Sequence, residues 1–309
     1  MIATASFPES AIAADETDDR PDRQATPPSP TVPAICRDSP SIASRSGEAG
    51  APATAARPDR VTLSALPAAP LPPPAPAVFE TPVVRFFGRS LAEYLRFFSL
   101  DIATLRGRRI LDTAAGPSSF AVEAGALGLD VTAADPLYGC TSGTLDAYVR
   151  IDYATVFRQI RAKPGLVRCD ANGADFCSID AAEADRRAAA TRFLDDYETG
   201  FPSGRYVSAR LPHLPFADGE FDLVLCAHFL FLHAAQFDAA FHLAACCELV
   251  RVSRGEVRIH PVCGNDGLRY PALATLREAL ARDGITSREE PVPPAFFRGA
   301  DSMLVLERG

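Results

Sequence analysis

Short apolar runs alternate with segments of helical apolar spacing along residues 91–308. The runs read as strands at Ile110–Leu111, Asp130–Asp135, Tyr206–Ser208, Phe221–Cys226 and Glu256–Val262. Helical spacing covers Ser90–Phe98, Phe120–Leu127, Ser142–Arg161, Asp180–Tyr197, Phe237–Leu249 and Pro271–Arg282. Two last runs, Ile285–Val292 and Ser302–Glu307, predict a closing antiparallel pair. This order predicts a doubly wound open α/β sheet, mostly parallel, with helices on both faces and a C-terminal antiparallel hairpin.

The segment Arg109–Phe120 (RILDTAAGPSSF) predicts a strand, a tight loop and a helix in succession. Asp112 ends the strand, the loop turns at Gly116, and Ser118 or Ser119 is a suitable N-cap for the helix. In open α/β sheets, ligands bind in the crevice beyond the carboxyl ends of such strands. We therefore expect a ligand cradle here, and the rest of the fold is organised around it.

The second strand ends in Asp135, 23 residues after Asp112. A strand–helix–strand unit of this length places the second acid beside the end of the first strand. A carboxylate there can accept the two hydroxyl hydrogens of a ribose. A solvated turn acid before Pro136 is the competing interpretation.

Composition divides the chain into two parts. Fifteen of the 27 prolines fall in the first 80 residues, and Phe7 is the only aromatic before Phe79. Such a segment buries too little apolar surface to offset its ordering entropy, so we expect residues 1–78 to be a disordered tail and residues 79–309 to form the folded domain. An alternative is that the tail is not translated and the chain starts near Val83 or Val84. Residues 137–205 form a long helical insertion, for which a lid, a substrate wall and a purely structural appendage all stay open.

Charge and cysteine usage narrow the class of partner. The net charge is −8 and the pI is near 5.2, so there is no basic stripe for a nucleic-acid backbone and we expect a small-molecule substrate. The eight cysteines show no CxxC or metal-ligand spacing, which is typical of reduced thiols in the cytoplasm. No signal peptide or membrane-length apolar run is present, so no membrane association is expected. The oligomeric state cannot be read from the sequence.

The helix before the first strand carries aromatic residues that we interpret as core, and we expect it to cover one edge of the sheet. Arg85, Arg89 and Tyr94 could still reach the crevice, because this helix leads directly into the first strand.

His228 follows the fourth strand at the open end of the sheet, where it could act as a general base. The competing interpretation is a histidine that packs under the loop and bonds to the backbone. His233 lies five residues on, roughly 140° around a helix if one forms there, so the two should then share no face and bind no metal together. We expect His233 to be structural.

Four stretches resemble the class I S-adenosylmethionine-dependent methyltransferases in their order and spacing. They are ILDTAAGPSSF, DVTAADP, LPHLPFADGEFDLVLC and ELVRVSRGEVRI, followed by the two closing strands. The similarity covers roughly residues 91–308 apart from the insertion, and LPFADGEFDLVLC is its most specific part. It implies a Rossmann-like fold, S-adenosyl-L-methionine as the cofactor, and methyl transfer to a small-molecule or peptide acceptor.

The same resemblance implies where the cofactor lies. Asp112 and the following loop would hold the methionine moiety, Asp135 the ribose, and apolar side chains the adenine, with the stretch after the fourth strand facing the methyl group. The implied cofactor-binding residues are Asp112, Thr113, Ala114, Ala115, Gly116, Asp135, Pro136, Leu137, Arg210, Leu211 and Cys226.

The chain departs from the family pattern at three positions. Ala114 and Ser118 stand where the family usually has glycine, and Arg210 stands where an acid often binds the adenine amino group. A guanidinium has no acceptor for that N–H. These departures keep open a non-catalytic binding or regulatory protein on the same fold. An NAD(P)-dependent oxidoreductase is less favoured, because Ala114, Gly116 and Phe120 do not supply the G-x-G-x-x-G loop.

Overall fold

The computed structural model describes residues 78–80, 83–169 and 176–309. These residues lie in one unit that spans Pro52–Gly309. The predictions about the N-terminal tail and about the true start of the chain concern residues 1–78, which lie outside the described ranges except for Val78.

The helices and strands follow the predicted order. The described helices are α1 Leu91–Phe97, α2 Ile102–Leu105, α3 Phe120–Ala126, α4 Ser142–Ala162, α5 Ile179–Gly200, α6 Ala239–Val252 and α7 Leu273–Arg282. The strands are β1 Arg109–Thr113, β2 Asp130–Asp135, β3 Tyr206–Ser208, β4 Phe221–Ala227, β5 Ser253–His260, β6 Ile285–Pro291 and β7 Ser302–Arg308.

The seven strands form one sheet in the order β3-β2-β1-β4-β5-β7-β6. The first five are parallel, whereas β7 is antiparallel to both β5 and β6. The predicted doubly wound sheet with a closing antiparallel hairpin is therefore confirmed. The strand order reverses between β1 and β4, and crevices at such a switch point are where open α/β sheets bind ligands.

Two apolar cores cover the two faces of the sheet, because side chains alternate along each strand. Ile110 of β1 and Leu223 of β4 belong to the core formed with α1, α3, α4 and α5. Leu111 and Val224, the next residues, belong to the core formed with α6 and α7. We call these the first and the second face. The near-continuous apolar sequence of β4 follows from burial on both sides.

The insertion forms two long helices on the first face. Helices α4 and α5 contact each other, and α5 also contacts α3. Thr141 caps α4 and Ser178 caps α5, since each side-chain oxygen accepts a backbone N–H three residues on.

Capping explains one shifted boundary. Helix α6 begins at Ala239 because the Asp238 side chain accepts a hydrogen bond from the N–H of Phe241 at 2.8 Å.

In the described ranges, every helix is too short or too polar to cross a membrane. The cysteines described, at 140, 169, 177, 226, 246, 247 and 263, are all free.

The expectation that α1 covers a sheet edge is wrong. Tyr94 of α1 bonds to Asp112 of β1, and Phe97 stacks on His260 at the end of β5 with ring centroids 4.6 Å apart. Helix α1 thus lies over the carboxyl ends of the central strands, because its aromatic side chains bury more surface there than a sheet edge offers. Their assignment to the core is confirmed, since Tyr94, Phe97 and Phe98 are buried.

Candidate active site

Two carboxylates stand on one face of the sheet at the ends of neighbouring strands. Asp112 pairs in register with Ala133 of β2, and Asp135 lies two residues further along that strand. The alternation of side chains puts both acids on the first face, as diagonal neighbours. The negative charge of Asp135 contributes to the raised pKa of Asp112. The expectation that the two carboxylates stand together at the rim therefore agrees with the coordinates.

Asp112 is enclosed by the protein. Both of its carboxylate oxygens lie within reach of the Tyr94 hydroxyl, at 3.0 and 2.9 Å, and the Tyr94 ring stacks on Phe120 at 4.4 Å. Burial raises the pKa of Asp112 well above its ordinary value, although the Tyr94 hydrogen bond opposes the shift. A ligand reaches this carboxyl only when Tyr94 moves aside. The role of Asp112 toward the methionine moiety stays a prediction.

Asp135 ties two loops together. Its Oδ2 accepts a hydrogen bond from the backbone N–H of Gly116 at 3.0 Å, and its Oδ1 accepts one from the N–H of Leu137 at 2.9 Å. Burial raises its pKa to about 6, against the lowering effect of these two bonds. Each oxygen keeps a lone pair for a further donor.

The loop after β1 keeps an unusual backbone shape without the family's usual glycines. Ala114 has a φ of 52° and Gly116 a φ of 57°, so both occupy the left-handed region. The region costs an alanine roughly 1–2 kcal/mol. Ala114 thus places a methyl group at a loop position whose backbone conformation favours glycine.

A segment before α1 packs directly on this loop, which the sequence did not reveal. The carbonyl of Arg89 accepts bonds from the Ser118 hydroxyl at 2.9 Å and from the N–H of Ser119 at 3.1 Å. A Cβ on Gly88 would lie 2.1 Å from the carbonyl oxygen of Pro117. Only glycine allows this approach. In the sequence, Gly88 stands shortly before a predicted helix, but no neighbouring residue indicates that it packs against Pro117.

Ser119 stands at the N-cap position of α3, yet its side chain makes no capping bond. Its hydroxyl bonds instead to Glu123 at 2.8 Å, and the Ser118 hydroxyl accepts the N–H of Phe120. The predicted helix start is confirmed, with Ser118 doing the capping.

The other implied cofactor residues fall into two groups. Ala114, Pro136 and Leu137 are half-buried beside Asp135. Four others are buried, namely Thr113, Ala115, Leu211 and Cys226. Arg210 is exposed, and its backbone forms an isolated antiparallel β-bridge with His213. Cys226 belongs to the second-face core, and burial raises the pKa of its thiol to about 12. It lines the back of the sheet, and the residues after it, from His228 on, face the open end.

A cavity of about 110 Å³ lies next to these strand ends. Helices α4 and α5 supply one wall through Val156, Ile160 and Arg186, so the insertion does form a wall of this space. The loop between β6 and β7 supplies Phe296 and Phe297. Arg85 and Arg89 also line the cavity, which confirms that they reach the crevice. The remaining lining residues include Phe79, Glu80, Phe87, Phe97, Gln159, Val167, His228, Leu232, His233 and Ala295.

His228 borders the cavity in a strained conformation, with a φ of 51°. Its backbone N–H bonds to the carbonyl of His260 at 2.6 Å, and its ring packs on Phe97 at 4.8 Å. The ring atom Nδ1 is buried without a hydrogen-bond partner. Burial, and then the charge of Arg89, lower the pKa of His228 well below its ordinary value, so the imidazole is neutral at pH 7. His228 therefore bonds to the backbone through its own N–H, while its ring lines the cavity, and its role as a general base stays a prediction.

His233 lines the same cavity, so the expectation that the two histidines share no face is wrong. Residues 230–236 form turns rather than a regular helix, so the 100° step per residue does not apply. Gln236 bonds to Nδ1 of His233 at 3.2 Å, and burial lowers the pKa of His233 to about 4. In the residues that the structure describes, no group of three or more His, Cys, Asp or Glu side chains is arranged to hold a metal ion.

Buried ion pairs behind the cavity were also missed by the sequence analysis. Arg186 donates to Glu93 at 2.7 Å, and the two side chains are 4% and 3% exposed. Arg85 donates to Asp152 at 2.9 Å. Arg89 lies 3.8 Å from the same Glu93 oxygen. Arg186 and Glu93 are 93 residues apart in sequence, and Arg85 and Asp152 are 67 apart. No local spacing in the sequence could therefore have revealed these two pairs.

Three comparisons place this geometry among known proteins. A family model described as a methyltransferase domain matches residues 164–257, from the end of the insertion into β5. An uncharacterized protein of Methanocaldococcus jannaschii, MJ0045, is 30% identical over 222 residues, which are 72% of this chain and 95% of the relative. Magnesium protoporphyrin IX methyltransferase from Synechocystis, solved with S-adenosylhomocysteine, is 12% identical over 71% of this chain and 81% of its own, with a TM-score of 0.41. A TehB-like methyltransferase from Corynebacterium glutamicum is 15% identical over 71% and 94%, with a TM-score of 0.35.

The chain belongs to the class I S-adenosylmethionine-dependent methyltransferase family. Within that assignment, MJ0045 is a relative that it matches over nearly the relative's whole length. The family implies S-adenosylmethionine as cofactor.

The residues present fit the adenosine end of this cofactor. Asp135 offers two carboxylate oxygens at a strand end, each with a lone pair for a ribose hydroxyl, and half-buried Pro136 and Leu137 adjoin it. At Asp112, where the family resemblance would place the methionine moiety, the carboxylate already accepts a hydrogen bond from the Tyr94 hydroxyl.

Proposed function

We propose that this protein transfers the methyl group of S-adenosylmethionine to a small-molecule or peptide acceptor. The observation that carries the proposal is the placement of Asp112 and Asp135 as diagonal neighbours at the ends of β1 and β2, next to the switch point between β1 and β4 and to a cavity at the end of β4. A nucleoside held at Asp135 and an acceptor held in the cavity would meet over the carboxyl ends of β1 and β4.

The bound cofactor would supply an electrophilic methyl group on a sulfonium. The transfer is an in-line displacement, so positioning of the two reactants contributes much of the acceleration. Asp135 would fix the ribose through its two carboxylate oxygens. The loop from Ala114 to Gly116 would set the distance between the cofactor and the strand ends. The aromatic walls of the cavity would exclude water from the acceptor.

His228 is our candidate general base. Because its imidazole is neutral at pH 7, Nδ1 can accept a proton from an acceptor hydroxyl or amine as the new bond to the methyl carbon forms. Its lowered pKa makes it a weak base, which suits an acceptor that is already acidic.

A calorimetric titration with S-adenosylhomocysteine tests the proposal against the two alternatives. Binding of this product supports the methyltransferase, whereas binding of NAD(H) in its place supports an oxidoreductase. Binding of neither one supports the non-catalytic protein.

Replacing Asp135 with alanine is expected to weaken S-adenosylhomocysteine binding by about 1 to 3 kcal/mol, because the ribose hydroxyls lose a hydrogen-bonded carboxylate. Isothermal titration calorimetry measures the dissociation constant. Asp130→Ala is the matched control, since Asp130 begins the same strand and its side chain is 67% exposed. An unchanged dissociation constant in the Asp135 variant would remove the ribose assignment.

The affinity for S-adenosylhomocysteine is also expected to rise with pH, by up to about tenfold between pH 5 and pH 8. The pKa of Asp135 is raised to about 6, so below that pH the carboxyl is mostly protonated and offers fewer acceptor sites to the ribose. The same titration repeated with Asp135→Asn, which cannot ionise, should show a flat profile. A slope that persists in this variant would assign the pH dependence to another group.

A further inference from the structure

The cavity beside the proposed methyl-transfer site combines aromatic walls with three arginine side chains, and Nε of the buried Arg89 has no hydrogen-bond partner. We propose that it binds the methyl acceptor as an aromatic carboxylic acid of about one ring, whose carboxylate is held by Arg89. This inference rests on the proposed function and specifies the substrate class of that site.

The charge of the cavity lining favours an anion. Three guanidinium groups border it, those of Arg85, Arg89 and Arg186. Two buried carboxylates accompany them: Asp152 pairs with Arg85, and Glu93 pairs with Arg186 at 2.7 Å. Because Arg89 is 3.8 Å from the Glu93 oxygen that Arg186 already holds, three cations share two acids.

Further titratable groups lie at the cavity or behind it. Glu80 also borders it, but its side chain is 76% exposed and pairs with Lys163. His228 and His233 are neutral at pH 7, since burial lowers the pKa of both. Asp185 accepts the Ser90 hydroxyl behind α1. It is half-buried, as Arg85 is, and its charge acts on Arg186, so the acids behind the cavity match the three arginines in number. The charged groups that border the cavity itself are the three arginines and the exposed Glu80.

Unsatisfied donors point to the same ligand chemistry. Arg89 is 8% exposed, and its Nε is buried without a hydrogen-bond partner. The same holds for Nε of Arg85. A buried polar group without a partner costs about 1–3 kcal/mol, and more when it is charged. A carboxylate has the acceptor lone pairs that these atoms need.

The rest of the wall selects for a flat apolar body. Phenylalanine rings at 87, 97, 296 and 297 face the cavity together with Ile160 and Leu232. A cavity of about 150 Å³ accommodates benzene, so the roughly 110 Å³ found here limits the apolar body of the ligand to a single ring at most.

The charge of the ligand excludes two related classes of compound. A phosphate monoester carries up to two charges and needs more donors than the single unpartnered Nε of Arg89 provides. A free amino acid brings an ammonium group next to three arginines, which repel it. A monocarboxylate with an aromatic ring carries a single negative charge and no ammonium group, so neither objection applies to it.

The test uses benzoate as the probe and the full chain saturated with S-adenosylhomocysteine. Isothermal titration calorimetry should show that benzoate binds at least about tenfold more tightly than benzamide or phenyl phosphate. Equal affinity for benzamide would overturn the proposal, because benzamide has the same shape without the charge. This comparison needs no variant and does not depend on how a substitution folds.

Arg89→Met should lower the benzoate affinity by about ten- to a hundredfold, while Arg89→Lys keeps most of it and the affinity for S-adenosylhomocysteine changes less than twofold. Arg288→Met is the matched control, because Arg288 is an exposed arginine on β6. A variant that loses S-adenosylhomocysteine but keeps benzoate would assign Arg89 to the cofactor and overturn the proposal.

The outcomes separate this inference from the proposed function. If S-adenosylhomocysteine binds and benzoate shows no preference, only the acceptor class is wrong. If S-adenosylhomocysteine does not bind, the proposed function fails and the acceptor assignment fails with it, whatever benzoate does.

Discussion

Replacing Glu93 with glutamine is expected to lower the free energy of unfolding by about 3 to 5 kcal/mol, the largest effect that we predict for a single substitution. Glu93 is 3% exposed and its carboxylate faces both Arg186 and Arg89. Removing its charge leaves two buried guanidinium groups without a counter-ion, and the cost of their burial is then uncompensated. Urea-induced unfolding followed by circular dichroism gives the free energy.

Glu290→Gln is the matched control, since it removes the same charge from an exposed pair with Arg288 on β6. We expect a change below about 1 kcal/mol there, because solvent screens exposed pairs. The double variant Glu93→Leu with Arg186→Leu should lose less stability than Glu93→Gln alone, since it removes both charges together. A loss below about 1 kcal/mol for Glu93→Gln would show that this pair is not buried in solution.

Replacing Gly88 with alanine is expected to destabilise the fold by about 3 kcal/mol. The new Cβ would lie 2.1 Å from the Pro117 oxygen and 2.5 Å from the Ser118 nitrogen. These are backbone atoms that cannot rotate away, so the segment before α1 must lift off the loop. The bonds from Ser118 and Ser119 to the Arg89 carbonyl would then lengthen or break.

Thermal and urea unfolding measure this loss, and a titration with S-adenosylhomocysteine shows whether the displaced loop still binds the product. Gly143→Ala is the control, because a Cβ there has no neighbour within 4 Å and Gly143 lies inside helix α4. We expect that control to be neutral or to stabilise by up to about 1 kcal/mol. Equal effects of the two substitutions would contradict the close packing of Gly88 on Pro117.

The strand–loop–helix unit was readable from the sequence because its signals are local. A buried strand needs consecutive apolar residues, and the turn at Gly116 needs a residue that adopts positive φ easily. Both lie within a dozen residues. The same holds for Asp135, whose place at a strand end follows from the length of one strand–helix–strand unit.

The surroundings of those residues were not readable. The pairing of Asp112 with Tyr94, the packing of Gly88 on Pro117 and the salt bridge from Arg186 to Glu93 join parts of the chain that are far apart in sequence. His233 shows the same limit, since its expected angular separation from His228 assumed a helix that the chain does not form there.

The sequence by itself determined the order of strands and helices, the mostly parallel sheet and the two acids at its rim, because hydrophobic periodicity and turn chemistry act over a few residues. Only the tertiary structure decided that Asp112 is enclosed, that the insertion forms a wall of the cavity, and that three arginines share two buried carboxylates around it. These features depend on contacts between distant segments, which the packing of the whole domain selects.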